Sequence, residues 1–208
     1  MSTTTGAGSG RTRLSPDQRR EQLLDLGVRL LATRSLDELS IDLLAEEAGI
    51  SRGLLYHYFG NKQEFHTAVV QRAADDLFAV TAPTGEGSPL EQLAGSLERY
   101  VDYVAANYHG YVSLLRGAAG GHEGLREIYE SSRAALTDRL FEGPVAQEAA
   151  ALGLTDTPAV RLMVHGWAAF TEDVVLEWVR DDRGLSREEL LVTLAASLPG
   201  ILAPYRTE

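Results

Sequence analysis

Three helix-start signals crowd into residues 40–65, SIDLLAEEAGISRGLLYHYFGNKQEF, and they leave this stretch few ways to fold. Ser40 stands as an N-cap before Ile41, Leu44, Ala45 and Ala48, whose spacing puts one apolar stripe on a short helix. Gly49 ends that helix, Ile50 packs, and Ser51 caps a further helix reaching about Phe59. Asn61, with Glu64 three residues on, reads as another capped start. Two short helices joined by a few residues that include a glycine are the sequence form of a helix-turn-helix. Small Ala45 and Ala48 let the helices cross closely, and Gly49 can take the left-handed conformation of a sharp turn.

Helical patterning continues on both sides. Ser15-Pro16-Asp17-Gln18 combines an N-cap, a proline at the first helical position and a capping-box glutamine, and Leu23, Leu26, Leu30 and Leu31 follow at helical spacing, which predicts a helix over 16–33. Further helices are predicted at about 62–81, 89–108, 110–117, 122–142, 145–152, 158–181 and 187–203, separated by Gly- and Pro-containing breaks such as Pro83–Pro89, Gly120-Gly121 and Gly143-Pro144. No strand alternation emerges, so the expected fold is all-α, an N-terminal three-helix helix-turn-helix head on a larger helical body. The expected division is a flexible basic arm at 1–13, the head at 14–61 and the body at 62–208.

Composition narrows the function. With 208 residues and 44% hydrophobic side chains, the chain can bury a sizeable core. It has no apolar run near the ~20 residues of a membrane span and no apolar signal core at its start, which gives the expectation of a cytoplasmic protein without a membrane partner. Zero cysteines and five scattered histidines, none in an H-x-x-x-H pair, offer no metal set, and no cofactor motif is present. The adjacent carboxylates Asp75-Asp76, Glu172-Asp173 and Asp181-Asp182 point about 100° apart on a helix and read as a solvated acidic face, so an enzyme is not expected. The net charge of −11 is unfavourable for phosphate binding, but residues 1–62 are neutral with eight charges of each sign, and the whole excess lies in the body.

On the helix from Arg52, a step of 100° per residue puts Leu55 and Phe59, with Tyr58 beside them, on a core face. Gly53 and His57 lie opposite, flanked by Arg52, Tyr56 and Leu54. Arg52 can hold guanine or phosphate, Gly53 allows close backbone approach, Leu54 can meet a thymine methyl, and Tyr56 and His57 can donate to phosphate oxygens. Lys62 adds charge to the free N–H groups of the next helix start. The plainer reading of each alone is a solvated surface residue; together they fit a recognition helix.

Residues 40–65 closely resemble the DNA-binding signature of the TetR family of bacterial transcriptional regulators, through the A-x-x-A-G-I-S, L-Y-x-Y-F and N-K-x-E-F runs. The resemblance covers about residues 14–70. It implies that Ser40, Tyr56 and Lys62 grip phosphates and that Arg52, Gly53, Leu54 and His57 face the operator; Ser51 and the arm residues Arg11 and Arg13 join this candidate set. The sequence departs from the family at Leu54, where Thr or Ser is frequent, and at Tyr58, where His is. The resemblance also implies a homodimer closed by the last two long helices, a body pocket for a small effector, and repression of a palindromic operator relieved by that effector.

For the interface, Leu190, Leu191, Leu194, Ala195 and Leu198 form an apolar stripe on the last helix, with Ala168, Val175 and Trp178 on the one before; the alternative is that both stripes fill the monomer core. For the pocket, the candidates are Phe78, Tyr103, Tyr111, Arg116, His122, Tyr129, Met163, Trp167 and Phe170, and the expected effector is largely apolar or aromatic. A module of the same fold that has lost operator recognition is the competing reading, and retention of Arg52, Tyr56 and Lys62 argues against it.

Overall fold

The computed structural model describes residues 15–151 and 153–206. The expected arm, with Arg11 and Arg13, lies outside the described residues. Ten α-helices run through the described chain: α1 Pro16–Leu31, α2 Ile41–Ala48, α3 Arg52–Phe59, α4 Lys62–Val80, α5 Pro89–Ala106, α6 Tyr108–Ala119, α7 Glu123–Asp138, α8 Gly143–Ala151, α9 Pro158–Arg180 and α10 Arg187–Leu202. Single 3₁₀ turns extend α7 and α10, and the only strand-like feature among the described residues is one isolated antiparallel bridge, Leu154–Arg206.

Local chemistry starts most of these helices. Ser15, Ser88 and Ser186 form reciprocal capping boxes with Gln18, Glu91 and Glu189, while Ser40, Ser51, Asn61 and Thr157 accept the N–H of the third helical residue. Gly49 ends α2 at φ 64°, and its N–H and that of Ile50 satisfy the last carbonyls of α2. The predicted 122–142 helix is α7 plus its 3₁₀ turn, and α6 extends past its predicted 110–117 on both sides.

Two apolar cores share α4. The first joins α1, α2 and α3 through Leu23, Leu44, Leu55 and Phe59 to Phe65 and Val69 of α4, and to Leu125 and Ile128 of α7. Phe65 and Phe59 meet edge-on at 5.1 Å. The head is thus built on α4 and α7 and shares its core with them, so a boundary drawn at residue 61 passes through that core. Gly27 makes the α1–α4 approach possible: a Cβ there would lie 2.6 Å from a Val69 methyl. The second core joins α5, α9 and α10 through Val101, Val104, Val164, Val175, Leu190 and Leu194, with Leu77 near the end of α4.

The interface stripes need correction. Val175, Leu190, Leu194, Ala195 and Leu198 are buried within the second core, Ala168 and Leu191 are half-buried against it, and the half-buried Trp178 donates its Nε1–H to the Leu185 carbonyl at 2.8 Å. Apolar periodicity picks out the most apolar face of a helix, and for α9 and α10 that face packs inward. The opposite face of α9 leaves Leu162 and Phe170 exposed at 62% and 45%, and α10 leaves Val192 exposed at 64%.

Candidate nucleic-acid interface and interior cavity

On α3 the two faces separate as the spacing predicts. Leu55 and Phe59 are buried, Tyr58 is half-buried, and Arg52, Gly53, Leu54, Tyr56 and His57 are exposed. A Cβ at Gly53 would meet nothing within 4 Å, so a ligand backbone has room to approach there. Tyr56 is 49% exposed and its hydroxyl has no partner among the described residues. The Ser40 and Ser51 hydroxyls accept the N–H groups of Leu43 and Leu54 at 3.1 and 3.3 Å, which leaves each O–H proton free to donate outward. Lys62 Nζ donates to the Asp37 carbonyl at 3.3 Å and keeps two further protons beside the start of α4.

One feature of this face escaped the sequence reading. Arg52 Nε pairs with Asp42 of α2 at 2.5 Å, with both side chains well exposed. Such a pair contributes roughly 0–1 kcal/mol and can exchange its partner for a phosphate or base edge. It holds the guanidinium at the α2–α3 junction through Nε, and neither Nη group has a partner among the described residues.

Behind the head, α1, α4, α5, α6, α7, α8 and α9 surround a cavity of about 200 Å³ with a mostly apolar wall. Tyr103, Tyr111, Tyr129 and Trp167 line it. Phe78, Arg116, His122, Met163 and Phe170 do not, which corrects their assignment. Phe78 faces out beneath the Arg139 guanidinium, 3.2 Å from its ring centroid, and Phe170 and Arg116 are exposed. Met163 packs in the second core. His122 serves as the N-cap of α7, its Nδ1 accepting from Leu125 N, and its Nε2 lies 3.1 Å from the Gln63 amide.

Among the polar groups of the lining, one hydrogen-bonded cluster forms a pole of the cavity, and Glu172 is its centre. The sequence reading put Glu172-Asp173 on a solvated face; only Asp173 is exposed, because the 100° step turns Glu172 toward the body. Tyr111 donates to one carboxylate oxygen and Tyr129 to the other, both at 2.6 Å. Tyr100 lies 3.2 Å from the Tyr111 hydroxyl and Arg133 Nη1 donates to the Tyr129 hydroxyl at 2.9 Å. Burial raises the pKa of Tyr100, Tyr111 and Tyr129, reinforced by the Glu172 charge, so these hydroxyls stay protonated donors. Tyr103, also in the lining, donates to the Ala73 carbonyl of α4 at 2.7 Å, and burial raises its pKa too.

Helix α4 is common to both sites. Lys62 opens it on the head, while Val70, Ala73, Ala74 and Leu77 line the cavity, about 12 to 22 Å further along at 1.5 Å per residue. Val28 and Leu31 bring α1 to the same wall. At its far end α4 has no basic residue of its own, and arginines from elsewhere hold its terminal carbonyls: Arg99 reaches Val80 O at 2.8 Å, and Arg139 reaches Phe78 O.

A capped α2, a left-handed turn and an α3 with an exposed polar face define a helix-turn-helix DNA-binding regulator. Residues 23–69 match the model of bacterial regulatory proteins of the tetR family, and residues 89–198 match the tetracyclin repressor-like C-terminal domain, so the chain belongs to the TetR family. A tetR-family transcriptional regulator from Streptomyces coelicolor has a similar structure, with TM-score 0.77 and 33% identity over 92% of this chain and 83% of that one. The HTH-type transcriptional activator FasR of Mycolicibacterium smegmatis is 25% identical over 88% of this chain and 83% of its own length. The HTH-type transcriptional repressor KstR2 of the same organism is 35% identical over 38% of this chain and 40% of its own. The chain is a transcriptional regulator and not an enzyme. No helix of the described residues is long and apolar enough to cross a membrane.

Proposed function

We propose that the chain is a ligand-responsive repressor that binds a palindromic operator as a homodimer in the cytoplasm and leaves it when a small, largely apolar molecule enters the cavity. The observation that carries this reading is the shared helix: α4 begins at Lys62 beside the exposed face of α3 and forms cavity wall from Val70 to Leu77. A molecule that shifts this wall changes the spacing of two heads in a dimer, and by linkage ligand and DNA then weaken each other by the same factor. Tyr56, Lys62, Ser40 and Ser51 act on phosphates, and Arg52, Gly53, Leu54 and His57 face the bases or backbone.

The exposed face of α9 and α10 supports the dimer. Leu162 and Phe170 flank Gly166, where a Cβ would meet nothing within 4 Å, and Val192 stands exposed on α10. Small and apolar side chains on two adjacent helices suit a four-helix contact across a two-fold axis, and half-sites ~34–36 Å apart require such an axis. The reading of the chain as a repressor takes support from the repressors among its relatives.

Fluorescence anisotropy with duplex DNA from the region upstream of its own gene tests the reading. Binding saturates at two chains per operator, Tyr56→Phe weakens it with an unchanged melting temperature, and a hydrophobic dye that raises the melting temperature of the free protein lowers DNA affinity. Equal affinity of wild type and Tyr56→Phe, together with no effect of any dye, would overturn it.

A further inference from the structure

The polar pole of the cavity carries a choice of ligand charge; this step rests on the reading of the cavity as the effector site. Glu172 and Arg133 are mostly buried, their side chains 14% and 17% exposed, and Arg133 Nη1 lies 3.9 Å from the Glu172 carboxylate. Their formal charges cancel. The hydrogen bonds around them run one way: Tyr111 gives its single proton to Glu172, so the Tyr100 hydroxyl donates to Tyr111, while Arg133 donates to Tyr129 and Tyr129 to Glu172. Arg133 Nη2 is taken by the His165 carbonyl at 3.0 Å.

Two buried groups are left without a partner among the described residues, Arg133 Nε and Thr171 Oγ1, and both residues line the cavity. An N–H that can only donate and a hydroxyl that can donate call for an acceptor oxygen. A carboxylate ligand would bring that oxygen with a second buried negative charge beside Glu172, and an ammonium would add a second positive one beside Arg133; at this pole neither has a counter-charge left to meet it, and the other cation of the lining, Arg139, is held by Thr81, the Phe78 carbonyl and the Phe78 ring. We propose that the effector is an uncharged amphipathic molecule, an apolar body with a carbonyl or hydroxyl oxygen at one end, and that the Arg133–Thr171–Glu172 pole selects it against acids and amines of the same shape.

The test uses the full chain and four straight-chain probes of matched length: decan-1-ol, undecan-2-one, decanoate and decylamine, titrated near neutral pH by calorimetry and by Trp167 fluorescence. The alcohol and the ketone are expected to bind about tenfold or more tighter than either ion. Glu172→Gln leaves Arg133 uncompensated and moves decanoate to the top of the order, and Arg133→Gln does the same for decylamine. Urea melts confirm that each variant is folded, and the wild-type order alone decides the proposal should a variant not fold. Decanoate or decylamine binding as tightly as the alcohol to the wild type overturns the charge selection while leaving the cavity as an effector site. Binding of none of the four overturns the effector site itself and the selection with it.

Discussion

Tyr56 and Tyr111 are the same residue type in opposite surroundings. Tyr56 stands half out of the protein on α3 with its hydroxyl open to whatever approaches, whereas Tyr111 is half-buried on the cavity wall, donates to Glu172 and lies beside the hydroxyl of Tyr100. Water already satisfies the first, so its contact with a phosphate exchanges one partner for another and gains little alone; the head reads DNA through many such exchanges on a surface that one local motif makes rigid. The second is held by protein partners in a mostly apolar wall, so the buried donors at the cavity pole are best matched within the protein or by a ligand, and a mismatched group there is expensive. The head tolerates loss of one contact gracefully, and the cavity pole does not.

The sharpest way to break this comparison is to put a charge in each setting. Leu194→Asp buries an unpaired carboxylate in the second core and is expected to abolish folding, whereas Val192→Asp, two residues earlier and exposed at 64%, keeps the melting profile and turns a dimer into a monomer by sedimentation velocity. A folded Leu194→Asp protein, or a dimeric Val192→Asp protein, would remove the assignment of faces on α10. Next in size is Phe65→Ala. Because Phe65 of α4 is fully buried against the head, the expected loss is about 3–5 kcal/mol by urea denaturation, and the head and body should melt together. Separate transitions would show that the head core ends before α4.

How legible each region is in the sequence follows from the same contrast. The serine caps, Gly49 and the split of α3 into Leu55 and Phe59 inside and Tyr56 and His57 outside depend on neighbours within a few residues, and spacing alone gives them. The Arg52–Asp42 pair crosses the turn and periodicity does not register it. The cavity pole joins Tyr111 and Tyr129 to Glu172 across 61 and 43 residues, so nothing local marks Glu172, Arg133 or Thr171 as partners. Aromaticity suggested Phe78 and Phe170 equally with Tyr129 and Trp167, because composition says which residues can line a pocket and only the packing of α4, α7 and α9 says which do. Leu190 and Leu194 misled for the related reason that one helix has two apolar faces, and the stronger one belongs to the monomer.

On the DNA side the expected effects are smaller and graded. Lys62→Ala should lower operator affinity at low salt and reduce the slope of log K against log salt by about one unit, with the same melting temperature. An unchanged slope would mean that the Nζ stays with the Asp37 carbonyl when DNA binds, 3.3 Å away as in the free protein.

The smallest effect lies between the two regions, at His66 on α4. Its Nε2 is 2.6 Å from the Leu39 carbonyl, which can only accept, so Nε2 carries the proton and anchors the chain entering α2. Burial lowers its pKa below the ordinary 6.5, partly offset by that hydrogen bond, with Lys62 and His122 adding to the lowering and Asp37 opposing it. As pH falls through 6.5 the unfolded chain takes up the proton before the folded one, so the unfolded state binds more protons in the window beneath 6.5 and folding stability drops there; above 6.5 both states are neutral at His66 and it contributes no slope. His66→Gln retains a side-chain donor toward Leu39 and removes the titration. Urea melts from about pH 5 to pH 8 should therefore show a steeper loss of stability on the acid side for wild type than for His66→Gln, with parallel curves above about pH 7. Parallel curves over the whole range would mean that His66 titrates alike in both states, and that the contact between α4 and the entry to α2 is looser than its geometry implies.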